Sequence, residues 1–326
     1  MDLILATSDG RDIEIVTYDT DIEVGMENSF EIGIPTPAWD GSYKKNMLVY
    51  IPGTEYGGII GEIQTMTNPE YVYVKGRTWR GLLEKKIISP AAGQDYYTIS
   101  GEANTCIRTL LSAFYKDGLM VGSSEDSGAT ISNFQFARYT TLLSGIKAML
   151  ATVGYRLDID YIQSGTSGYV ELKAVPIINY AAQIELSEDD ELAINADEIV
   201  NGVNHLICLG EGELSARTIV HIYTDEKGNV VNTQKLKGRY EIAEVYDYPG
   251  AESATELRAY GISRLEEIKN RTIFDVEIIN IAATLSIGDI VSGREFTTGI
   301  NVEKPIGSKI FKITGEIESE EYRLEE

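Results

Sequence analysis

From Asp289 to Lys312 the chain reads as short strands joined by polar turns: Asp-Ile-Val-Ser-Gly-Arg-Glu-Phe, a break, Ile-Asn-Val-Glu-Lys-Pro-Ile, and then Lys-Ile-Phe-Lys. This stretch comes after the most strongly helical segment, Ser253–Asn270. There Leu257, Tyr260, Gly261, Leu265 and Ile268 mark an inner stripe, with Glu266, Glu267 and Lys269 outside it. A similar order of strands and then helix opens the chain. That order predicts an α+β, β-rich fold: two barrel-like β domains with α/β and helical modules attached. No fixed-period repeat of the solenoid kind is present.

The opening residues support this reading. Residues 2–7 and 12–18 flank Ser8-Asp9-Gly10-Arg11, and Asp-Gly is a hairpin turn signal. Phe30, Ile32 and Ile34 alternate with Glu31 and Gly33, the pattern of a half-buried strand. Met47–Ile51, Ile59–Met66 and Tyr71–Val74 read as further strands. After Gly76 the period changes, and Thr78 is placed to cap a short helix carrying Trp79, Leu82 and Leu83. Residues 1–95 are therefore expected to form the first barrel-like domain.

Residues 96–178 read as an α/β module. A helix starts at Ser100 or Glu102, with Cys106, Ile107, Leu110, Leu111 and Phe114 at spacings of three and four, and ends at Gly118. Residues 122–133 read as an exposed loop. A second helix runs from Thr140 or Thr141 to Thr152, stopped by Gly154. Tyr155–Tyr161 and Tyr169–Val175 then alternate as the two arms of a hairpin. The remainder, 179–326, is expected to be the second barrel-like domain with a helical insertion at 250–272. Its acidic segment, Glu185–Glu198, reads as strand and loop with a helical turn near Asp197.

Composition narrows the class. In 326 residues, 43% are hydrophobic, enough for real cores, and 31 Gly with 20 Tyr suit a turn-rich β protein. The formal net charge of -23 opposes nucleic-acid binding, which needs Lys and Arg to displace counterions, and opposes anionic membranes. Cys106 and Cys208 lie in apolar runs without metal-type spacing and read as core residues in a reducing compartment. The N-terminus lacks a basic n-region, so no signal peptide is expected, and no apolar run reaches the ~18 residues of a membrane span.

Motifs for chemistry are weak. Gly210-Glu211-Gly212 follows a strand, as a phosphate loop would, but β-branched residues and two glutamates follow where a helix N-terminus is needed. His205 and His221 sit inside predicted strands with no ligand partner along either strand. Asp158 and Asp160 share one strand face ~7 Å apart, a glycosidase-like spacing equally expected of a wet strand face. Glu188-Asp189-Asp190-Glu191 lacks the Gly and terminal Glu of a calcium loop. Ser167 falls short of a nucleophile elbow, and Trp39 and Trp79 fit either a contact surface or a core. No catalytic, cofactor-binding or metal residue is assigned. A carbohydrate-binding module, on the strength of the Tyr and Trp, and an enzyme with an unfamiliar carboxylate site stay open as alternatives.

Four segments carry a resemblance. They are Tyr71-Val-Tyr-Val-Lys-Gly-Arg-Thr-Trp-Arg-Gly-Leu-Leu-Glu-Lys-Lys-Ile, Thr140–Tyr155, Tyr246–Asn270, and Ile287-Gly-Asp-Ile-Val-Ser-Gly-Arg-Glu with Val302-Glu-Lys-Pro-Ile. In that order they resemble the tail-hub (baseplate hub, tail-tip) proteins of phages and prophages of Gram-positive bacteria. The resemblance implies a homotrimeric ring at the tail tip, built in the bacterial host cytoplasm and kept in the virion tail, through which DNA passes. It implies as partners a tail tube or distal tail protein, a tape-measure protein, and a distal spike, fibre or receptor-binding protein. It brings no catalytic residue, no cofactor, no specific nucleic-acid binding and no stable membrane insertion. An acidic lumen would let DNA cross without adhesion.

Overall fold

The structure is a computed structural model that describes residues 1–326 except 68, 166, 182–184, 187–191, 200–201, 252, 280–284, 295–298, 300, 316 and 326. Two compact units emerge: Met1–Ile194 with Val276–Glu325, and Asn195–Asp275. The residues expected as the first domain and as the α/β module both fall in the first unit, together with the C-terminal strands.

Along the first unit run β1 (Ile4–Ala6), β2 (Asp12–Ile15), β3 (Asp19–Val24), β4 (Ser29–Pro35), β5 (Leu48–Tyr50), β6 (Gly57–Gln64), β7 (Tyr71–Thr78) and α1 (Trp79–Glu84). There follow β8 (Thr98–Glu102), α2 (Ala103–Phe114), β9 (Met120–Gly122), β10 (Thr130–Gln135), α3 (Leu142–Ala151), β11 (Tyr155–Ser164) and β12 (Ser167–Pro176). After β13 (Glu185–Leu186) and β14 (Leu192–Ile199), the second unit supplies β15 (His205–Leu209), β16 (Ile219–Thr224), β17 (Val230–Val231), β18 (Ala243–Asp247) and α4 (Ala254–Ile268). The chain closes with β19 (Arg271–Ile279), β20 (Ile290–Arg294), β21 (Asn301–Thr314) and β22 (Ile317–Leu324). The fold is α+β and β-rich, as the strand patterning predicts.

A long curled sheet runs in the order β14-β19-β22-β21-β3-β4-β7-β6-β5-β1-β2, with β20 and β13 attached through β21. Its period-2 pattern separates the faces. In β3, Thr20, Ile22 and Val24 are buried while Asp19, Asp21 and Glu23 turn outward. Phe30, Ile32, Val74 and Ile60 of neighbouring strands join Ile22 and Val24 in one core, with Phe311 and Ile313 of β21. Gly76 makes the bend possible. A Cβ there would lie 2.1 Å from the Ile59 carbonyl oxygen and 2.4 Å from the Phe30 ring, beside a register shift between Ile60 and Glu62.

The α/β module packs α2 and α3 on β11 and β12, burying Ile107, Leu110, Ile146, Met149, Leu157 and Leu172. The two helices start where their capping residues allow. Thr141 accepts from Ser144 N–H, and Glu102 accepts from the amides of Asn104 and Thr105. Thr78 holds the corresponding place before α1 but makes no side-chain cap, so its expected role fails there. Part of the loop expected at 122–133 is β10, paired with β8, and the helical turn expected near Asp197 is strand β14.

Two buried ion pairs tie the module to the sheet. Arg80 Nε meets Glu55 Oε2 at 2.8 Å while its Nη2 donates to the Leu157 carbonyl at 3.0 Å. Asp289 accepts from Arg156 Nε at 2.9 Å and from the amides of Ile178 and Ser286 at 3.0 and 3.2 Å. Each pair has further hydrogen bonds, Arg80 to the Leu157 carbonyl, Asp289 from two backbone amides and Arg156 to Asp158, the condition under which buried charges are tolerated.

In the second unit, β15 pairs antiparallel with β16 and parallel with β18, and β17 extends the sheet beyond β16. Helix α4, capped by Ser253, covers one face through Leu257 and Leu265, which pack with Leu206, Cys208 and Ile222. Gly261 is needed there, since a Cβ would meet Cys208 Sγ at 2.4 Å.

Glu102 allows a direct test of the helix cap. Burial raises its carboxyl, but hydrogen bonds from the Ser127 hydroxyl and from the amides of Asn104, Ser127 and Thr105 outweigh that and hold it at about 2, against an ordinary 4.5. A depressed folded-state value adds stability that is complete above pH 4.5 and is lost as pH falls toward 2. Glu102→Gln is expected to cost about 1–2 kcal/mol at neutral pH. In urea titrations the gap to the parent chain should narrow across that acidic window, and a pH-independent gap would contradict the capping role.

Candidate functional site

The outward face of the long sheet is the best-defined surface feature of the first unit, and strand register builds it. Asp21 stands opposite Glu31 on β4 and Lys312 on β21, and Glu31 stands opposite Lys75 on β7, which faces Glu62 on β6. Because residues directly opposite share a face, the ladder gathers charges from five strands into one surface. A groove of about 810 Å³ runs over it, lined by Glu23, Glu27, Glu31, Glu62, Lys75 and Arg77 among others.

Ion pairs span the strands across this face. Lys75 Nζ meets Glu31 Oε2 at 2.6 Å, Lys312 Nζ meets Glu321 Oε2 at 2.6 Å, and Arg323 Nη1 lies 3.7 Å from Glu23. The hydrogen bond to Glu31 pushes the Lys75 ammonium above its usual range. Burial raises Asp21, partly countered by the Lys312 charge. Carboxylates still outnumber cations, so the face keeps a net negative field. A smaller depression of about 240 Å³ adjoins it where Tyr71 and Tyr73 lean over Gly33.

The residues singled out for chemistry are scattered. Asp158 and Asp160 are both on β11, yet Lys173 of β12 bridges them at 3.4 and 2.7 Å and Arg156 holds Asp158 at 2.9 Å. Their charges are spent on the hairpin, not aimed into a cleft. Gly210 and Gly212 form a turn: Gly210 N–H donates to Thr218 O, Thr218 N–H returns to Glu211 O, and the chain continues into β16. Ser167 begins β12. Trp79 is buried against Tyr161, and Trp39 stacks on Tyr43. Residues 188–191 lie outside the described residues.

The histidines meet through strand register, which the sequence does not show. Neither has a partner along its own strand, but the β15–β16 register places Ile207 opposite His221 and His205 opposite Tyr223. His205 and His221 are thereby diagonal neighbours, with His205 Nε2 2.8 Å from His221 Nδ1 and His205 Nδ1 2.6 Å from Glu241 Oε1. His205 thus lies between the two, its Nδ1 facing the Glu241 carboxylate and its Nε2 facing the His221 ring. The hydrogen bond to His205 holds the Glu241 carboxyl below its usual range. The connection from Leu209 to Ile219 is too long for its turn to reveal this register in the sequence. Among the described residues no group of three or more His, Cys, Asp or Glu is arranged to hold a metal ion, and no helix is long and apolar enough to cross a membrane.

Neither a protein-family model nor a curated protein sequence matches the chain. Solved structures do match in fold. A tail protein from Neisseria meningitidis MC58 superposes with a TM-score of 0.51 and 12% identity, covering 100% of this chain and 97% of its own. Prophage tail protein gp18 from Listeria monocytogenes EGD-e gives 0.51 and 13%, covering 99% and 94%. The 43 kDa tail protein of prophage MuSo2 from Shewanella oneidensis gives 0.54 and 13%, covering 100% and 98%. At such identities the likeness is one of fold. It reaches a Gram-negative host as well as a Gram-positive one, so it is wider than the group named from sequence.

The His205 relay sets up a stability test. His205→Ala strips both Glu241 and His221 of a partner and is expected to destabilise the chain by about 1–3 kcal/mol, whereas exposed His221→Ala costs under about 1 kcal/mol. Chemical denaturation of both variants checks this; equal losses would contradict the relay.

Proposed function

We propose that this chain is a structural component of a phage or prophage tail, forming a homotrimeric hub ring at the tail tip. The observation that carries this reading is the fold likeness to tail proteins over nearly the full length of both chains. The surface chemistry supports it: the charged face spreads its ion pairs over several strands and converges on no reactive centre.

In this reading the ring connects the tail tube or a distal tail protein to a spike, fibre or receptor-binding protein. The tape-measure protein ends against it, and it is assembled in the host cytoplasm. Three copies of a chain carrying -23 each present a strongly acidic assembly. Duplex DNA crossing such a lumen finds few cations with which to displace its own counterions, so it passes without adhering.

Native mass spectrometry of the purified full chain, alone and co-expressed with its tail-tube partner, is expected to show three copies per particle; a monomer in both settings would sink the proposal. Charge on the groove is tested separately. Glu31→Lys combined with Glu62→Lys is expected to create salt-sensitive duplex-DNA binding that the parent chain lacks. Strong DNA binding by the parent itself would contradict the role assigned to the acidic surface.

A further inference from the structure

The chain has two histidines in 326 residues, and the fold brings both into one cluster on the second unit. Imidazole is the side chain whose ordinary change of charge falls between pH 5 and 8. This cluster therefore gathers every such ring the chain has.

Strand register sets its geometry. His205 of β15 stands opposite Tyr223 of β16 on one side and Ala243 of β18 on the other. His205 is 8% exposed, while His221 of β16 stands in solvent. The nitrogens that face each other, His205 Nε2 and His221 Nδ1, are 2.8 Å apart, and the ring centres are 5.1 Å apart. The nitrogens thus lie close to the line joining the rings, as a hydrogen bond requires, and do not converge on a third point as metal ligands must. Behind His205, Nδ1 meets Glu241 Oε1 at 2.6 Å, and the same oxygen accepts from Gln234 Nε2 at 2.8 Å. The Tyr223 ring lies beside both, its centre 4.6 Å from that of His205 and 6.2 Å from that of His221. Ala243 of β18 and Val231 of β17, which pairs with Tyr223, add no charge. Among the described residues Glu241 is the one charged side chain in hydrogen-bond contact with either ring.

Counting protons decides what this arrangement can hold. Two neutral rings carry two ring protons, one for the contact with Glu241 and one for the contact between the rings. A third goes to His221 Nε2, keeps both contacts and adds a positive charge close to the Glu241 carboxylate. A fourth sets two N–H groups against each other across 2.8 Å, so that contact must open. We infer that the two histidines form a proton-gated clasp, which holds one added proton closed and is opened by a second. His221, at the surface, is the ring that turns away. The switch frees a side chain of β16 from β15 and sets two positive charges on this sheet face, while the backbone ladder from His205 to Leu209 stays paired. Nothing in the clasp depends on the chain being part of a tail.

The test is a pH titration of the full chain with histidine alone isotopically labelled, both rings being followed by NMR. The carboxylate favours the first proton and the first proton opposes the second, so two steps at least about one pH unit apart, or about tenfold in proton affinity, are expected. His221→Gln keeps a hydrogen-bonding side chain at the surface but takes up no proton, and His205 should then titrate in a single step. Should that variant fail to fold, Glu241→Gln removes the carboxylate and is expected to move the first step to lower pH. Rings that titrate together in the parent, a His205 curve that His221→Gln leaves unchanged, or a first step that Glu241→Gln leaves in place would each overturn the clasp.

Discussion

The first unit depends on one ladder, β3 against β21, in which Lys309–Ile313 pair with Val24–Thr20. It joins strands from the two ends of the chain. Closing so long a loop adds only ~0.6 kcal/mol for each doubling of length, so the thermodynamic obstacle is modest while the search is slow. Once formed, the ladder brings Phe311 and Ile313 onto the same core as Ile22 and Phe30. It also brings Lys312 onto the outward face beside Asp21. Core and charged surface are consequences of a single register, because a slip by one residue would exchange them.

Local patterning made much of this legible and register made the rest invisible. The helices at Ala103–Phe114, Leu142–Ala151 and Ala254–Ile268 announced themselves by apolar spacing and by capping residues that the structure uses. The β11–β12 hairpin was equally plain, because both arms alternate around a glycine-rich turn. Long-range pairing leaves no such trace. Lys309–Ile313 reads as a strand, but nothing in it names β3 as its neighbour. The charged face is therefore absent from any one segment, since Glu31, Lys75, Glu62 and Lys312 come from four strands. The His205–Glu241 contact fails to show for the same reason: its partners lie 36 residues apart across a parallel strand pair.

Thr78 teaches a narrower lesson. A threonine before an apolar helical run satisfies the capping rule, yet its hydroxyl is buried without a hydrogen-bond partner. The residue belongs to β7 and pairs with Gly58 of β6, so its backbone follows the ladder and not the helix. Tertiary pairing outranks a local preference worth about 1 kcal/mol.

The titratable groups point the same way as the geometry. Burial drives the hydroxyls of Tyr43, Tyr56, Tyr115 and Tyr322 further above neutrality, while hydrogen bonding carries Glu102 further below it. Groups poised to exchange protons are moved toward working pH, so shifts in the opposite direction fix a charge state. Complementary buried pairs act as mortar: Arg80, paired with Glu55, reaches the Leu157 carbonyl, and Arg156 pairs with Asp289, so the α/β module is held to the sheet. The Asp21 carboxyl, raised by burial on the charged face, is an exception, and it sits within the field of Lys312, which opposes the rise.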